Sequence, residues 1–260
     1  MIRALYSART GMDGQQTQLD VIANNLANVN TGGFKKSRVQ FEDLFYQSLR
    51  EVGAQTVGGG MVPTGVQVGL GTRVTSVQKL FTQGSFTQTG NDLDMAIEGD
   101  GFFKISRDGT DYYTRAGSFK RDADGYIVTA NGNRLQPEFA IPDGTTELAI
   151  DSSGLLTAKD NAQQTLGSVQ LTLVRFVNPA GLKSVGSNLF AETTASGAPV
   201  EDNPGSNGMG SLAQHFLETS NVDVSEEMVN LIITQRAYEV NSKAITTADQ
   251  LMEIANSLKR

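Results

Sequence analysis

The chain of 260 residues has no cysteine, no tryptophan, a single histidine (His215) and only six prolines. Without Cys there can be no disulfide, thiolate zinc site or Cys nucleophile, and one His excludes a multi-histidine metal centre. Basic charge is also short, with 21 Lys and Arg against 28 Asp and Glu for a net charge of −7, and charged residues form only 19% of the chain. A surface that tracks phosphates is therefore excluded, and no nucleic-acid partner is expected. No apolar run approaches the roughly 18 residues that a membrane-spanning helix needs, so direct membrane insertion is not expected either. The opening residues, MIRALYSARTGMDGQQ, carry Arg3 and Arg9 but no apolar stretch of about 7–15 residues with a small-residue cleavage site, so no cleaved secretory signal is expected.

Chemistry-bearing motifs are equally sparse. Gly58-Gly59-Gly60 is followed by Met61-Val62-Pro63 with no Lys, so it reads as a linker and not a phosphate loop. Asp122-Ala123-Asp124-Gly125 opens like a calcium loop, but its Gly comes too early and no Glu stands at the twelfth position, which leaves a hairpin turn. His215 lies in SLAQHFLE with no nucleophile elbow around any Ser. Asp92 and Asp94 could serve a glycosidase as an acid pair, yet among 28 acids such neighbours arise by chance. The expectation is a protein that is not an enzyme, with no catalytic, cofactor-binding or metal-binding residue.

What is present is texture. Glycine is abundant at 28 residues, above the usual ~7%, and concentrates between two glycine-poor ends. In the first thirty residues Leu5, Met12, Leu19 and Leu26 recur every seven, with Met1, Ala8, Ile22 and Val29 in a companion row that Gln15 interrupts. This heptad stripe predicts a helix weakened by Gly11 and Gly14, each costing about 1 kcal/mol relative to Ala, and stopping at Gly32-Gly33. Residues 222–260 contain neither Gly nor Pro, and Val224, Leu231, Tyr238, Ile245 and Met252 again recur every seven. A further row, Ala244, Ala248, Leu251, Ala255 and Leu258, widens the apolar face to suit two partners. Asp223 with Glu226 reads as an N-cap with its N3 acid, and Lys259-Arg260 suits the negative end of the dipole. Such a helix of about 35 residues would be ~50 Å long.

The ends carry opposite charge. Residues 1–40 hold five basic and two acidic side chains, whereas 221–260 hold four basic and six acidic, so the two helices can pair favourably. Asn24, Asn25, Asn28 and Asn30 cluster beside the first stripe. Either they cap a fraying terminus, or their amides fix the register between packed helices as a buried Asn does in coiled coils; the pattern alone leaves both open.

The middle reads as short antiparallel strands at Leu93–Ile97, Gly101–Ser106, Asp111–Arg115, Ser118–Arg121, Tyr126–Thr129, Leu148–Ile150 and Val169–Phe176, with Asp124-Gly125 and Asn131-Gly132 as the best hairpin turns. Stretches 46–90 and 194–220 read as irregular connectors. The expected class is α+β, with long N- and C-terminal helices forming a coiled-coil-like stalk and a central antiparallel β-rich domain. Its divisions are 1–33 with 221–260 as the helical part, 34–90 with 200–220 as the connecting region with an extended loop, and 91–199 as the β domain.

Several segments now make a resemblance visible. Ala23-Asn24-Asn25-Leu26-Ala27-Asn28-Val29-Asn30-Thr31-Gly32-Gly33-Phe34-Lys35 resembles the N-terminal signature of the axial proteins of the bacterial flagellum, the rod and hook proteins. Supporting segments are Leu93–Phe103, Tyr113–Phe119, Leu217–Asp223, Glu226–Val229 and Gln235–Glu239, so the resemblance spans the chain. The length and the insertion-like stretch Tyr46–Gly71 resemble the distal part of the rod more than the larger hook protein or the proximal rod.

The resemblance implies a subunit that self-assembles helically into a hollow, rigid drive shaft carrying torque from motor to hook. The terminal helices would form the inner tube and the β domain the outer layer. The interface residues it implies are Leu5, Met12, Leu19, Ile22, Asn24, Asn25, Leu26, Asn28, Val224, Leu231, Tyr238, Ile245 and Met252. Implied partners are other copies of itself, the proximal rod proteins, the hook protein, the surrounding bushing rings and the flagellar type III export apparatus. The implied place is the basal body, in the periplasm and across the outer envelope, reached by export without a cleaved signal. Phe41-Glu42-Asp43-Leu44-Phe45 resembles the export-gate motif of such subunits, with Phe41 and Phe45 as its apolar pair; the plainer alternative is two core residues of a short helix. Other flagellar axial proteins, or a secreted β-domain binding module whose helices pair within one molecule, are the alternatives. Isolated helices pay a nucleation cost, so disordered ends are expected in a free monomer.

Overall fold

The computed structural model describes residues 2–51 and 64–257. Gly58–Gly60, Pro63, Leu258 and Lys259-Arg260, on which the linker, the end of the second apolar row and the dipole expectations fall, lie outside the described residues, as does Met1. The class is α+β, with one helix near each end and antiparallel strands between them. The chain forms two compact units, one of Met1–Leu26, Ser37–Gln78 and Asp223–Arg260, the other of Ala27–Lys36 and Lys79–Val222.

In the first unit, helix α1 spans Ile2–Ala27 and helix α2 spans Val224–Ser257. The first helix ends earlier than expected. Thr31 donates its backbone N–H to the Asn28 carbonyl and its hydroxyl to Asn28 Oδ1, which opens a turn, and Gly33 then takes a positive φ of 69°. Asn28, Val29 and Asn30 therefore belong to the turn and not the helix. The second helix starts as the sequence requires: Asp223 Oδ1 accepts from the backbone N–H groups of Ser225 at 2.8 Å and Glu226 at 3.2 Å. That cap satisfies two donors the helix leaves unpaired at its first turn.

Strands β1 (Ser37–Asp43) and β4 (Thr72–Lys79) pair as a two-stranded ribbon, and β2 (Tyr46–Arg50) pairs with β3 (Val66–Gly69) in an antiparallel hairpin bulged between Ser48 and Arg50. Most described residues of the first stretch read as a connector are thus strand, missed because the alternation is diluted by polar residues on both faces and leaves little periodic signal. The glycines of α1 have a reason. A Cβ on Gly14 would stand 2.9 Å from the Phe41 ring, and one on Gly11 3.0 Å from Asn241 Nδ2, so both admit close neighbours.

The second unit is built on a nine-stranded antiparallel sheet. Its path runs Lys183–Gly186, Leu189–Ala191, Thr110–Thr114, Phe102–Arg107, Arg134–Gln136, Ile127–Thr129, Phe119–Arg121, while Leu173–Arg175 joins Phe102–Arg107 and carries Val200–Asp202 at its far edge. A three-stranded sheet (Glu147–Ile150, Leu155–Lys159, Thr165–Gln170) and two further strand pairs complete it. The expected strand Val169–Phe176 is in fact two, in different sheets. Side chains alternate across a strand, so consecutive Phe102 and Phe103 enter opposite faces. Phe103 and Ile105 join Met95, Ile97, Phe119, Ile127, Leu156 and Leu173 in the larger core, and Phe102 joins Tyr113, Val174, Phe176 and Phe190 in the smaller.

The tightest hairpin is one the sequence reading passed over. Phe102–Arg107 and Thr110–Thr114 are joined by Asp108-Gly109, both at positive φ (53° and 75°), the geometry of a two-residue primed turn. At Asp124-Gly125 and Asn131-Gly132 only the glycines have positive φ, and both loops are longer. Residues 122–125 are a hairpin turn, with Gly125 N–H on the Asp122 carbonyl.

Candidate assembly surface

The helices of the first unit meet along one seam. Asn25, on the last turn of α1, donates from Nδ2 to Glu227 Oε2 at 3.2 Å on the first turn of α2. Gly11 faces Asn241, and Ala4 shares a groove with Ala248, Ala244 and Leu251. The numbers of the facing residues total 252 at both Asn25–Glu227 and Gly11–Asn241, so the helices run antiparallel, and these two pairs stand fourteen residues, two heptads, apart on both.

The apolar rows lie beside this seam. Leu5, Met12, Leu19 and Leu26 are half-buried, and Ile22 is buried. On α2, Leu231, Ile245 and Met252 are half-buried while Val224 and Tyr238 are exposed. Asn24 is exposed, Asn28 half-buried in the turn, and Asn25 buried with its amide committed within the chain. Asn25 Oδ1 accepts from Ser37 N–H and its Nδ2 donates to the Ser37 carbonyl, both at 2.9 Å, so the side chain mimics a strand partner for β1.

Sequence reasoning missed much of the exposed apolar surface of α2: Met228, Val229, Ile232, Ile233, Val240 and Ile254 are all at least half exposed, as is Leu251 of the second row. The signal was available. Ile233, Val240 and Ile254 share one heptad row, and only Thr247 breaks it. Eight large apolar side chains together on one helix, Val224 included, exceed the scattered Leu or Val that any soluble surface shows. Phe41 and Phe45 stand in and just after β1, not in a helix, and both are exposed, Phe45 at 88%. The alternative of two core residues in a short helix does not hold, since β1 is a strand; Phe41 shares the face of Val39 and lays its partly covered ring against Gly14, while Phe45 lies open.

In the second unit the family-like segments converge on a buried ion cluster. Lys35 Nζ donates to Glu218 Oε1 at 2.6 Å and to the Thr82 carbonyl at 2.8 Å. Gly84 N–H also donates to Oε1, and Arg115 Nε stands 3.3 Å from Oε2 as an ion-pair partner outside hydrogen-bond geometry. The Arg115 guanidinium donates in addition to the carbonyls of Gly101 and Gly99. Burial lowers the Lys35 pKa, partly opposed by the Glu218 carboxylate, and burial likewise lowers that of Arg115. Removing such charges from water is tolerable only because each finds several partners. The cluster ties residue 35 to residue 218, so it closes the β unit where the chain enters and leaves it.

Among the described residues no group of three or more His, Asp or Glu could hold a metal ion. His215, at positive φ between strands Ser211–Gln214 and Phe216–Glu218, is half-exposed with Nδ1 3.8 Å from Asp92 Oδ1. Among the described residues no helix is long and apolar enough to cross a membrane.

Comparison with known proteins agrees with this geometry. Three family profiles match: residues 5–35 the one described as flagella basal body rod protein, residues 96–158 the flagellar hook protein FlgE/F/G D1 domain, and residues 213–258 the flagellar basal body rod FlgEFG protein C-terminal. The chain is 48% identical over 264 residues to the flagellar basal-body rod protein FlgG of Borreliella burgdorferi and 40% identical over 267 residues to that of Bacillus subtilis, in both cases across 100% of each chain. It is 34% identical over 277 residues, again across 100% of both, to the flagellar hook-basal body complex protein FlhP of Bacillus subtilis. The chain belongs to the family of flagellar basal-body rod proteins.

Proposed function

We propose that this chain is the structural subunit of the distal rod, assembling helically into a hollow shaft that carries torque from motor to hook. Its role is mechanical and not enzymatic. The observation that carries the reading is the exposed apolar face of α2 beside a helix seam already closed within the chain, together with full-length similarity to proteins named basal-body rod protein FlgG. A contact between different patches on successive copies does not close on itself and so yields a filament. Covering apolar surface at about 25 cal/mol per Å² supplies the driving force.

In this reading the antiparallel helix pair, with its seven-residue spacing, is the coiled-coil-like stalk. Residues 1–33 and 221–260 form the inner tube, 91–199 the outer layer, and the hairpin region within Tyr46–Gly71 braces neighbouring copies. Leu5, Met12, Leu19, Ile22, Leu26, Val224, Leu231, Tyr238, Ile245 and Met252, with Asn24 and Asn25 on α1 and Asn28 in the turn after it, are the residues it assigns to the subunit interface, and the other exposed residues of α2 face other copies too. The shaft would contact proximal rod proteins below, hook protein above and the bushing rings around it. It would stand in the periplasm and cross the outer envelope, its subunits exported through the type III apparatus, for which exposed Phe41 and Phe45 are available as a gate motif. Cells carrying Leu19→Asp or Ile245→Asp should neither swim nor grow rods; normal swimming by both would overturn the reading.

A further inference from the structure

We propose that the buried Asn25–Glu227 pair is the register key of the helix pair: it fixes which heptad of α1 lies against which heptad of α2. That register sets the phase at which the exposed apolar rows are offered to neighbouring copies, a consequence that rests on the assembly reading, whereas the key itself rests on the geometry of one chain.

The seam needs a key because its own residues are permissive. Positions 4, 11, 18 and 25 of α1 are Ala, Gly, Gln and Asn, and positions 227, 234, 241 and 248 of α2 are Glu, Thr, Asn and Ala. All but the last pair are small or can trade one polar partner for another. A slip of one heptad would set Gly11 against Ala248 and Gln18 against Asn241, with nothing large in the way. Apolar rows that repeat every seven tolerate the same slip.

Glu227 does not tolerate it. Its side chain is buried, the whole residue only 5% exposed, and it stands in the first turns of α2, where the helix dipole favours a negative charge. Slipped one way, it would lie opposite position 32, beyond the end of α1 at Ala27, and lose the amide. Slipped the other way, Asn25 would lie opposite position 220, ahead of the start of α2 at Val224. A buried carboxylate or amide stripped of its partner carries its full desolvation cost, so only one register satisfies both. Asn25 is also pre-aimed: two bonds to the Ser37 backbone hold its amide plane, and the remaining Nδ2 hydrogen points at Glu227.

The chain has no cysteine, so disulfide mapping is clean. Gly11→Cys with Asn241→Cys reports the observed register, and Gly11→Cys with Ala248→Cys reports a slip of seven, each scored as an intramolecular cross-link in isolated basal bodies and in the purified full-length chain. With Glu227 intact, only the first pair should close. With Glu227→Leu, which leaves Asn25 on Ser37, cross-linking of the slipped pair should rise roughly tenfold at unchanged helicity, the scale of one hydrogen bond to a charged group. Glu227→Gln, whose carbonyl still accepts from Asn25, should keep the observed register. The key is overturned if Glu227→Leu cross-links only at 11 and 241, or if Glu227→Gln slips as far as Glu227→Leu. Failure of the 11 and 241 pair in basal bodies with Glu227 intact would overturn the helix pairing itself. A purified chain that cross-links as expected but never enters basal bodies would instead remove the assembly reading and leave the key standing.

Discussion

Replacing Ile233 and Val240 together by Asp separates assembly from folding. These side chains are 61% and 66% exposed and share a heptad row on the outer face of α2. Covering a Val or Ile fully is worth about 1.5–3 kcal/mol, so the uncovered fractions offer roughly 1–2 kcal/mol each to a neighbour. Placing two carboxylates in that contact adds a desolvation cost of at least a few kcal/mol. The total, on the order of 5 kcal/mol for each subunit contact, corresponds to a loss of association of several thousandfold. Within the monomer the same change touches only surface, where substitutions shift stability by about 0.5 kcal/mol, with a similar charge for Asp in a helix. Circular dichroism melts of the purified chain should therefore move by no more than a few degrees, while swimming stops and electron microscopy finds basal bodies truncated below the distal rod. Leu19 and Ile245 are half-buried within the chain, so aspartate there would mix the two effects. Rods of normal length in the Ile233→Asp, Val240→Asp strain would refute the reasoning, and so would a large fall in the melting temperature of the monomer.

The remaining expectations concern the β unit. Lys35→Met leaves Glu218 buried with Arg115 as its remaining ionic partner and should cost about 3–5 kcal/mol, read as a melting-temperature drop on the order of 10 °C, with Lys35→Met, Glu218→Leu recovering part of it. An unchanged melt would show that the cluster is not the closure of this unit. Burial, aided by Glu192 and Asp111, pushes the Tyr113 phenol up to about 12 from 10.0. Between those values the folded chain holds a proton that the unfolded chain releases, so this group's stability contribution is whole below pH 10 and falls as pH rises towards 12 by up to ~1.4 kcal/mol per unit. Denaturant titrations should show a flatter alkaline loss for Tyr113→Phe, and identical slopes would contradict the assignment. Gly33→Ala places a Cβ at positive φ, 2.6 Å from the Ala116 backbone nitrogen. It should cost at least about 2 kcal/mol, and a neutral melt would mean that the turn relaxes freely.

The terminal helices were legible because their signals are local: heptads, a Gly- and Pro-free run, and an Asp223 cap that forms as expected. The end of α1 was misplaced because a glycine pair marks where left-handed backbone is cheap, whereas Asn28 bonding to Thr31 had already unwound the chain. Some strands in 46–90 and 194–220 escaped because they are short and find their partners far away, as Phe216–Glu218 does in Phe86–Gln88, whereas the eight residues Thr72–Lys79 escaped because polar residues dilute their alternation. The candidate surface was half legible. Two apolar rows of α2 were read from their spacing, but a helix with apolar residues on several sides does not say which will be covered inside the chain. That decision falls to polar residues: Asn25, Asn241 and Glu227 take the inner seam and leave Ile232, Ile233 and Val240 outside. The Lys35–Glu218–Arg115 cluster could not be read from spacing, since its members are joined only by the fold.

The most direct test of the shaft reading is an electron cryomicroscopy map of isolated basal bodies, with this chain traced in the distal rod. The expected result is an inner tube of α1 and α2 pairs in which Met228, Val229, Ile232, Ile233, Val240, Leu251 and Ile254 lie against neighbouring copies. A rod without this chain, or one in which those side chains line open solvent, would contradict it.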